Sequence, residues 1–316
     1  MPGDVRLQPE QKYTISAFNR DFPNDGACLE WLTAYLYPDG IRCRRCKRVT
    51  HHHFLTKRKA LCCDNCGAHV HPTAGTIFHK SSTSLRTWFH AIYVMSATRC
   101  GVSAAQLMRE VGVTYKTAWR MFHQIRKMLR EDIRDLGGEV EADETFFGGH
   151  KSGRDYWGGS RKTIIAGVVE RKHSGGRVAA YVTEGRSLYD LLNPIRERVL
   201  PSSMIFTDEF GSYRKLSKHG YGHKRIHHKA RVYVRGDIHT NTIEGFWSLV
   251  KRGISGVHHS VSKKHLQTYL DLYSFRYNHR NDGQPMFAAL VSQIGSEVAD
   301  SNQPSAPLPL DDERPS

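Results

Sequence analysis

The sequence predicts an α/β protein: a mixed five-stranded sheet with helices, preceded by a small cysteine-rich knot and a pair of short helices. Three observations lead there. Strand-length apolar runs at 139–146, 163–170, 177–183 and 204–207 alternate with stretches of helical period. Two Cys-x2-Cys pairs, Cys43/Cys46 and Cys63/Cys66, are separated by 16 residues. Between knot and sheet, Gly112 divides two segments that each open on a capping hydroxyl, Ser103 and Thr114.

Bulk properties bound the function. The chain has 316 residues, 39% of them hydrophobic, enough for two or three domains of about 100–200 residues and a sizeable core. No run approaches the ~20 apolar residues a membrane span needs. Seven cysteines, an odd number clustered mostly in one segment, exclude a secreted disulfide scaffold. No cationic start precedes an apolar stretch, so no signal peptide is expected. A reducing cytoplasm is expected, where clustered cysteines more often hold metal than pair. Forty-six Lys and Arg against 31 Asp and Glu leave a net charge of +15. Such an imbalance points to a polyanionic partner, nucleic acid first. Arg42, Arg44, Arg45, Lys47, Arg48, Lys57, Arg58 and Lys59 fall between Gly40 and Ala60 with no acid among them.

Residues 1–20 are polar and aperiodic and are expected to stay loose. The chain from about Asp300 is rich in Pro, Ser and charge, and disorder is expected there. Texture changes near Lys80 and again at Gly137-Gly138. The expected units are therefore 21–80, 81–136 and 137–290, with 291–316 holding the end of a last helix and the tail.

In the knot, Cys43, Cys46, Cys63 and Cys66 can place four thiolates around one structural zinc, with a β-hairpin between the pairs. Metal–thiolate bonding would supply folding energy that so short a segment cannot draw from apolar burial. Cys62, His69 and His71 lie close enough to exchange for the fourth ligand. Cys28 and Cys100 have no partner spacing and read as small core residues; His51–His53 read as a hairpin tip.

From Leu85 to Thr98 apolar residues recur every three or four positions, as in a helix. Ser103 can cap a helix from Ala104 to about Glu110, and Thr114 a second from Tyr115 to Leu129. Two helices joined at so tight a glycine corner predict a helix-turn-helix whose second helix reads a DNA groove. Tyr115, Lys116, Thr117 and Arg120 stand at its exposed start, placed to meet phosphates or base edges.

Beyond Gly138 the expected order is strand 139–146, strand 163–170, strand 177–183, a helix from Ser187 to Leu200 that Pro194 kinks or divides, and strand 204–207. A helix over 209–219, a strand over 224–228 and helices over 240–252 and 261–281 follow. A three-strand meander followed by helix, strand, helix, strand and helices is the order of an RNase H-like sheet. In that order the first and fourth strands lie side by side, and Asp143 and Asp208 at their ends become neighbours despite 64 intervening residues. Glu244 follows after 35 more residues, and Lys251 is seven beyond it, roughly 20° away around a helix.

Two strand-end aspartates and a helix-borne glutamate can surround two Mg2+ (or Mn2+) ions about 3.5–4 Å apart. One ion would activate an attacking oxygen and the other stabilise the leaving oxygen of a phosphodiester displacement. Lys251 and Arg252 would hold the DNA backbone. Glu141, Glu144 and Glu209 flank the two aspartates as second-rank alternatives.

These residues resemble the bacterial insertion-sequence transposases of the group numbered 1595, the ISXO-like type. The resemblance covers about Asp21 to Gln284. It rests on the cysteine knot with GTIFHKSSTSLRTWFHAIY, the helix-turn-helix, VEADETFFGGH, IFTDEFGSYRKL, HTNTIEGFWSLVKRGISGVHH and YSFRYNHRN. It implies an RNase H-like catalytic domain with divalent metal, and double-stranded DNA partners: terminal inverted repeats and a target. It also implies cleavage by water, then attack of the freed 3′-hydroxyl on the target, in a bacterial, nucleoid-associated protein that assembles as a homo-oligomer around paired ends. Asp143 and Asp208 match the first two acidic positions. For the third the family is often described with Asn, which points to Asn241, whereas spacing prefers Glu244. Two rival functions are a DNA-binding regulator with an inactive RNase H-like domain and a nuclease that hydrolyses without joining.

Overall fold

The structure is a computed structural model that describes residues 13–55, 58–98, 100–148, 162–171, 176–208, 211–225 and 240–295. It divides into two compact units. Among the described residues, one comprises 16–89 with 291–295 and the other 90–290 with 13–15.

The smaller unit opens with α1 (Ile15–Asp21) and α2 (Asp25–Leu36). Helix α1 corrects the expectation of a loose start through residue 20. Phe18 and Phe22, fully buried, pack on one another, and Phe22 also meets Trp31 and Phe89, so this segment folds for its rings rather than for any helical period. Asn24 caps α2 by accepting from Ala27 N at 3.0 Å. A small antiparallel sheet follows, β1 (His52–Leu55), β2 (Ala60–Cys63) and β3 (His69–Val70). His52 and His53 therefore belong to a strand, and the β1–β2 connection lies beyond Leu55; the hairpin-tip expectation is corrected. Helix α3 (Leu85–Ala97) crosses from this unit into the other.

In the larger unit α4 (Ala104–Val111) and α5 (Tyr115–Met128) form the helix-turn-helix. Ser103 accepts from Gln106 N, Thr114 accepts from Thr117 N, and Gly112 closes α4 at φ +69°. That left-handed conformation is why glycine stands at the corner. The sheet comprises β4 (Glu139–Phe147), β5 (Thr163–Glu170), β6 (Val178–Thr183), β7 (Met204–Thr207) and β8 (Gly222–Arg225), in the order β6-β5-β4-β7-β8. The first three strands are antiparallel, whereas β7 runs parallel to β4 and β8 parallel to β7. This is the RNase H-like arrangement, with the first and fourth of its strands adjacent at the centre.

Both sheet faces are apolar and covered. Val140, Ala142, Ala166 and Val168 pack on Leu191, Leu192 and Ile195 of α6 (Leu188–Arg198) and on Tyr213 and Leu216. Ile165, Val169, Val178 and Ala180 pack on Ile243, Phe246, Trp247 and Val250 of α7 (Asn241–Gly253) and on Leu266, Leu270 and Tyr273 of α8 (Lys263–Asn278). Helix α6 opens on a Ser187/Asp190 capping box and runs through Pro194 undivided. The segment expected as a helix over 209–219 is a 3-10 helix, Gly211–His219. Strand β8 sits earlier than expected because its pairing with β7 aligns Gly222 with Met204; residues 226–228 lie outside the described chain. Helix α7 continues into a π-helical turn, Ile254–His258, and a short α9 (Met286–Val291) follows α8.

Candidate active site

The cysteine knot closes on itself. Sγ atoms of Cys43, Cys46, Cys63 and Cys66 all lie within 4.8 Å of one another, with Cys43–Cys66 at 3.5 Å and Cys46–Cys63 at 3.9 Å. A tetrahedron of zinc–sulfur bonds about 2.3 Å long spaces its sulfurs by about 3.8 Å, so the four fit one zinc. Both knuckles have the same backbone. Lys47 N donates to Cys43 O and Gly67 N to Cys63 O, each at 2.9 Å, with Lys47 at φ +62° and Gly67 at φ +71°. Thr50 Oγ1 lies 3.2 Å from the Cys63 sulfur and is the main cause that pulls that thiol down to about 6, toward the thiolate a metal takes. Cys62, next in the strand to Cys63, points to the other face and pairs across it with His69, so neither joins the set. His51 and His53 each bond Asp64 at 2.6 Å. Cys28 is buried as expected, but Cys100 is exposed, in the loop before Gly101, where no apolar layer covers it.

On α5 the buried face comprises Ala118, Met121, Phe122 and Ile125, with Arg126 buried against the rings of Phe122 and Tyr269. Lys116 and Arg120 are exposed at its start, and Thr117 is half-buried with its hydroxyl 3.0 Å from that of Thr114. Tyr115 and Trp119 are also exposed, which gives this face an aromatic character at i, i+4; Trp119 had not been anticipated there.

In the sheet, Glu141 of β4 is level with Phe206 of β7, the last pair of that ladder. Asp143 lies two residues further along β4, and Asp208 follows Thr207 just past the end of β7, near enough for its charge to act on Asp143. Alternation puts Asp143 on the face that α7 covers, where Trp247 meets it. Asp143 is pushed up to about 7, first by burial and then by the like charges of Glu144 and Asp208. Glu244 and Asn241 are both exposed in the first turn of α7, and the Glu244 carboxylate accepts from Thr240 Oγ1 at 3.0 Å. Lys251 and Arg252 are exposed in its last turn. Among the described residues the four cysteines are the one group of three or more Cys, His, Asp or Glu side chains gathered within 4.8 Å; Asp143, Asp208 and Glu244 are not drawn that close.

Comparison with known proteins matches residues 135–278 to the ISXO2-like transposase domain and residues 23–69 to the transposase zinc-ribbon domain. A transposase-like protein of Haemophilus influenzae is 34% identical over 88 residues, which are 28% of this chain and 70% of its own. The chain belongs to the IS1595, ISXO2-like transposase family. A protein in transposable element ISH50 of Halobacterium salinarum is 26% identical to the transposase over 276 residues, 81% of this chain and 92% of its own. The knot is thus a transposase zinc ribbon, and the sheet and its acids lie in the transposase domain.

The flanking acids of the transposase have other partners. Glu141, fully buried, accepts from Ile243 N at 2.8 Å, Thr242 Oγ1 at 3.0 Å and Arg171 Nε at 2.7 Å. It caps α7 from the neighbouring strand, where Thr240 makes no side-chain cap bond to the helix backbone. Glu144 points to the opposite sheet face, paired with Arg186 and accepting from Tyr213 OH at 2.9 Å. Glu209 lies outside the described residues. Two residues that bear on the site had not been singled out from sequence, Trp247 and Gly167. Trp247 Nε1 donates to Asp143 Oδ2 at 3.1 Å, and Gly167 is the cross-strand partner of Asp143. A tryptophan three positions past Glu244 was the available signal for the first; for the second there was none.

Proposed function

We propose that this transposase cleaves DNA at the terminal inverted repeats of its insertion sequence and joins the freed ends to target DNA, in a reaction that depends on divalent metal. The observation that carries the reading is the Asp143/Asp208 pair. The two carboxylates come from neighbouring central strands, Asp143 within β4 and Asp208 just past the end of β7, and burial with the like charge of Asp208 makes it costly to ionise Asp143. A cation removes that cost, and hard oxygen donors suit Mg2+ or Mn2+. Two such ions, when bound, supply an activated attacking oxygen and a stabilised leaving oxygen.

Asp143 and Asp208 hold the cations. The third carboxylate is Glu244 in this reading, and the helix phase supports it. At about 100° per residue Glu244 and Lys251 lie about 60° and 40° to one side of Trp247, which touches Asp143, while Asn241 lies about 120° round. Glu244 exchanges its bond to Thr240 for the site when DNA and metal arrive; Asn241 is left as a substrate contact. Lys251 and Arg252 take the backbone phosphates, and Lys116, Thr117 and Arg120 engage the end sequence. The ribbon (21–80) and helix-turn-helix (81–136) recognise ends, the domain at 137–290 performs the chemistry, and pairing of two ends requires a homo-oligomer.

The test is incubation of the purified protein with end-containing duplex, with and without Mg2+ or Mn2+. Nicked and joined products should appear only with cation and vanish in Asp143→Asn and Asp208→Asn. Hydrolysis without joined product would instead identify a nuclease, and binding without either product a regulator. Glu244→Gln should abolish strand transfer while Asn241→Ala retains it; near-normal joining by Glu244→Gln would move the third ligand to Asn241.

A further inference from the structure

We infer that Trp247 is a positioning residue for Asp143: seated on Gly167, its indole N–H joins the Glu144 backbone N–H in fixing the carboxylate in the orientation in which it meets a cation. Three features of the structure combine to support this. The donation to Asp143 Oδ2 is 3.1 Å long and comes from a ring that is 3% exposed. Asp143 and Gly167 are directly opposed across β4 and β5. A Cβ at Gly167 would fall 2.8 Å from Cη2 and 2.9 Å from Cζ2 of that indole, so the ring occupies space that any other residue there would fill.

The chemistry favours an indole for this task. Its N–H is a donor with no acceptor capacity, so it orients a carboxylate without competing for the metal. A buried Trp ring in a core needs some acceptor, and a backbone carbonyl would satisfy it at lower cost than a carboxylate crowded by Glu144 and Asp208. Helix α7 is held for this contact at a second point, because Ile243 N is bound by Glu141 two residues before Asp143 on the same strand. Four helix residues rise about 6 Å and two strand residues about 6.6 Å, so Ile243 and Trp247 keep step with Glu141 and Asp143. A ligand whose rotamer is set before the ion arrives loses less freedom on binding, and partners of this kind are typically worth about 10–100-fold in metal affinity or activity.

The inference rests on Asp143 being a cation ligand, and the experiment separates the two. Mn2+ binding to the full chain, with zinc retained, is measured for the wild type, Asp143→Asn, Trp247→Phe and Gly167→Ala. Cleavage and end-DNA affinity are measured alongside. Trp247→Phe keeps an aromatic ring, smaller than the indole, and removes the N–H, and Gly167→Ala moves the ring while keeping it. Both should bind Mn2+ about tenfold or more weakly and cleave more slowly at saturating DNA, with end-DNA affinity unchanged. In the wild type, Mg2+ should shift one indole N–H resonance that Trp247→Phe lacks. Wild-type Mn2+ affinity in Trp247→Phe overturns the inference, as does a wild-type spectrum in which no indole N–H resonance responds to Mg2+, which needs no folded variant. If Asp143→Asn itself binds Mn2+ normally, the cation assignment of Asp143 fails instead.

Discussion

Asp143 is a half-buried acid with two others nearby, and a charge there is costly until a cation joins it. An acid whose pKa stands above its unfolded value keeps a proton in the folded chain that the unfolded chain has already lost. For Asp143 that window runs from 3.8 to about 7, so stability without Mg2+ should fall as pH rises through it. Asp143→Asn should therefore melt higher than the wild type at pH 8 in Mg2+-free buffer, with the difference gone near pH 4 and narrowed by added Mg2+. An equal gap at both pH values would refute the assignment of the burial cost to this side chain. Glu141 presents the opposite case, a buried carboxylate with three donors. Glu141→Gln removes the charge that pairs most closely with the largely buried Arg171 and weakens the cap of α7, a loss of about 3 kcal/mol that urea unfolding would register. Both aspartates were read as strand-end acids, but β4 runs on to Phe147 and Asp143 lies at its middle; Glu141 and Asp143, two positions apart in one run of acids, could not be assigned separate tasks. Their difference lies in what α7 brings to them from 100 residues away.

Among the elements, the ribbon and the edge of the large sheet make sharp demands. The knuckle bond at Gly67 requires a positive φ, so Gly67→Ala should weaken zinc retention and cost about 1 kcal/mol or more. Cys63→Ser should release zinc and unfold the ribbon while the RNase H-like domain keeps its melting transition; unchanged zinc content would contradict the ligand assignment. Strand β6 is an edge whose free backbone groups are met by two amides of α8. Gln267 accepts from Val182 N at 2.9 Å and donates to Ala180 O at 3.1 Å, and Asn278 accepts from Val178 N at 2.8 Å and donates to Val178 O at 3.1 Å. The two side chains imitate a next strand and block pairing with another chain. Gln267→Ala with Asn278→Ala should destabilise by about 1–3 kcal/mol per unsatisfied buried group and promote association on concentration, read by light scattering. Helices α4 and α5 were readable from period and caps, and α7 and α8 as helical segments without a cap. Helix α1 was not, because its reason for folding is a cluster of rings contributed by α2 and α3.

For the molecule as a whole, a net charge of +15 and a family whose domains bind DNA make association salt-dependent. If Lys116 and Arg120 each neutralise a phosphate, replacing both with Ala should lower the slope of log affinity against log salt by about 2. An unchanged slope would move the end-reading surface off α5. No helix among the described residues is long and apolar enough to cross a membrane. What could be derived without coordinates is what depends on short spacings and repeated periods: the cysteine pairs, the glycine corner, the strand runs and the phase of Glu244 with Lys251. Those signals are local because a turn, a cap or a helix face is set by residues within about seven positions of each other. The coordinates were needed for whatever depends on register between distant strands and on which side chain a helix lays against them. So the packing of Trp247 on Gly167, the capping of α7 by Glu141, the turning of Glu144 to the other face and the separation of Cys62 from the zinc set all emerge from long-range pairing, where a shift of one residue reverses every side chain.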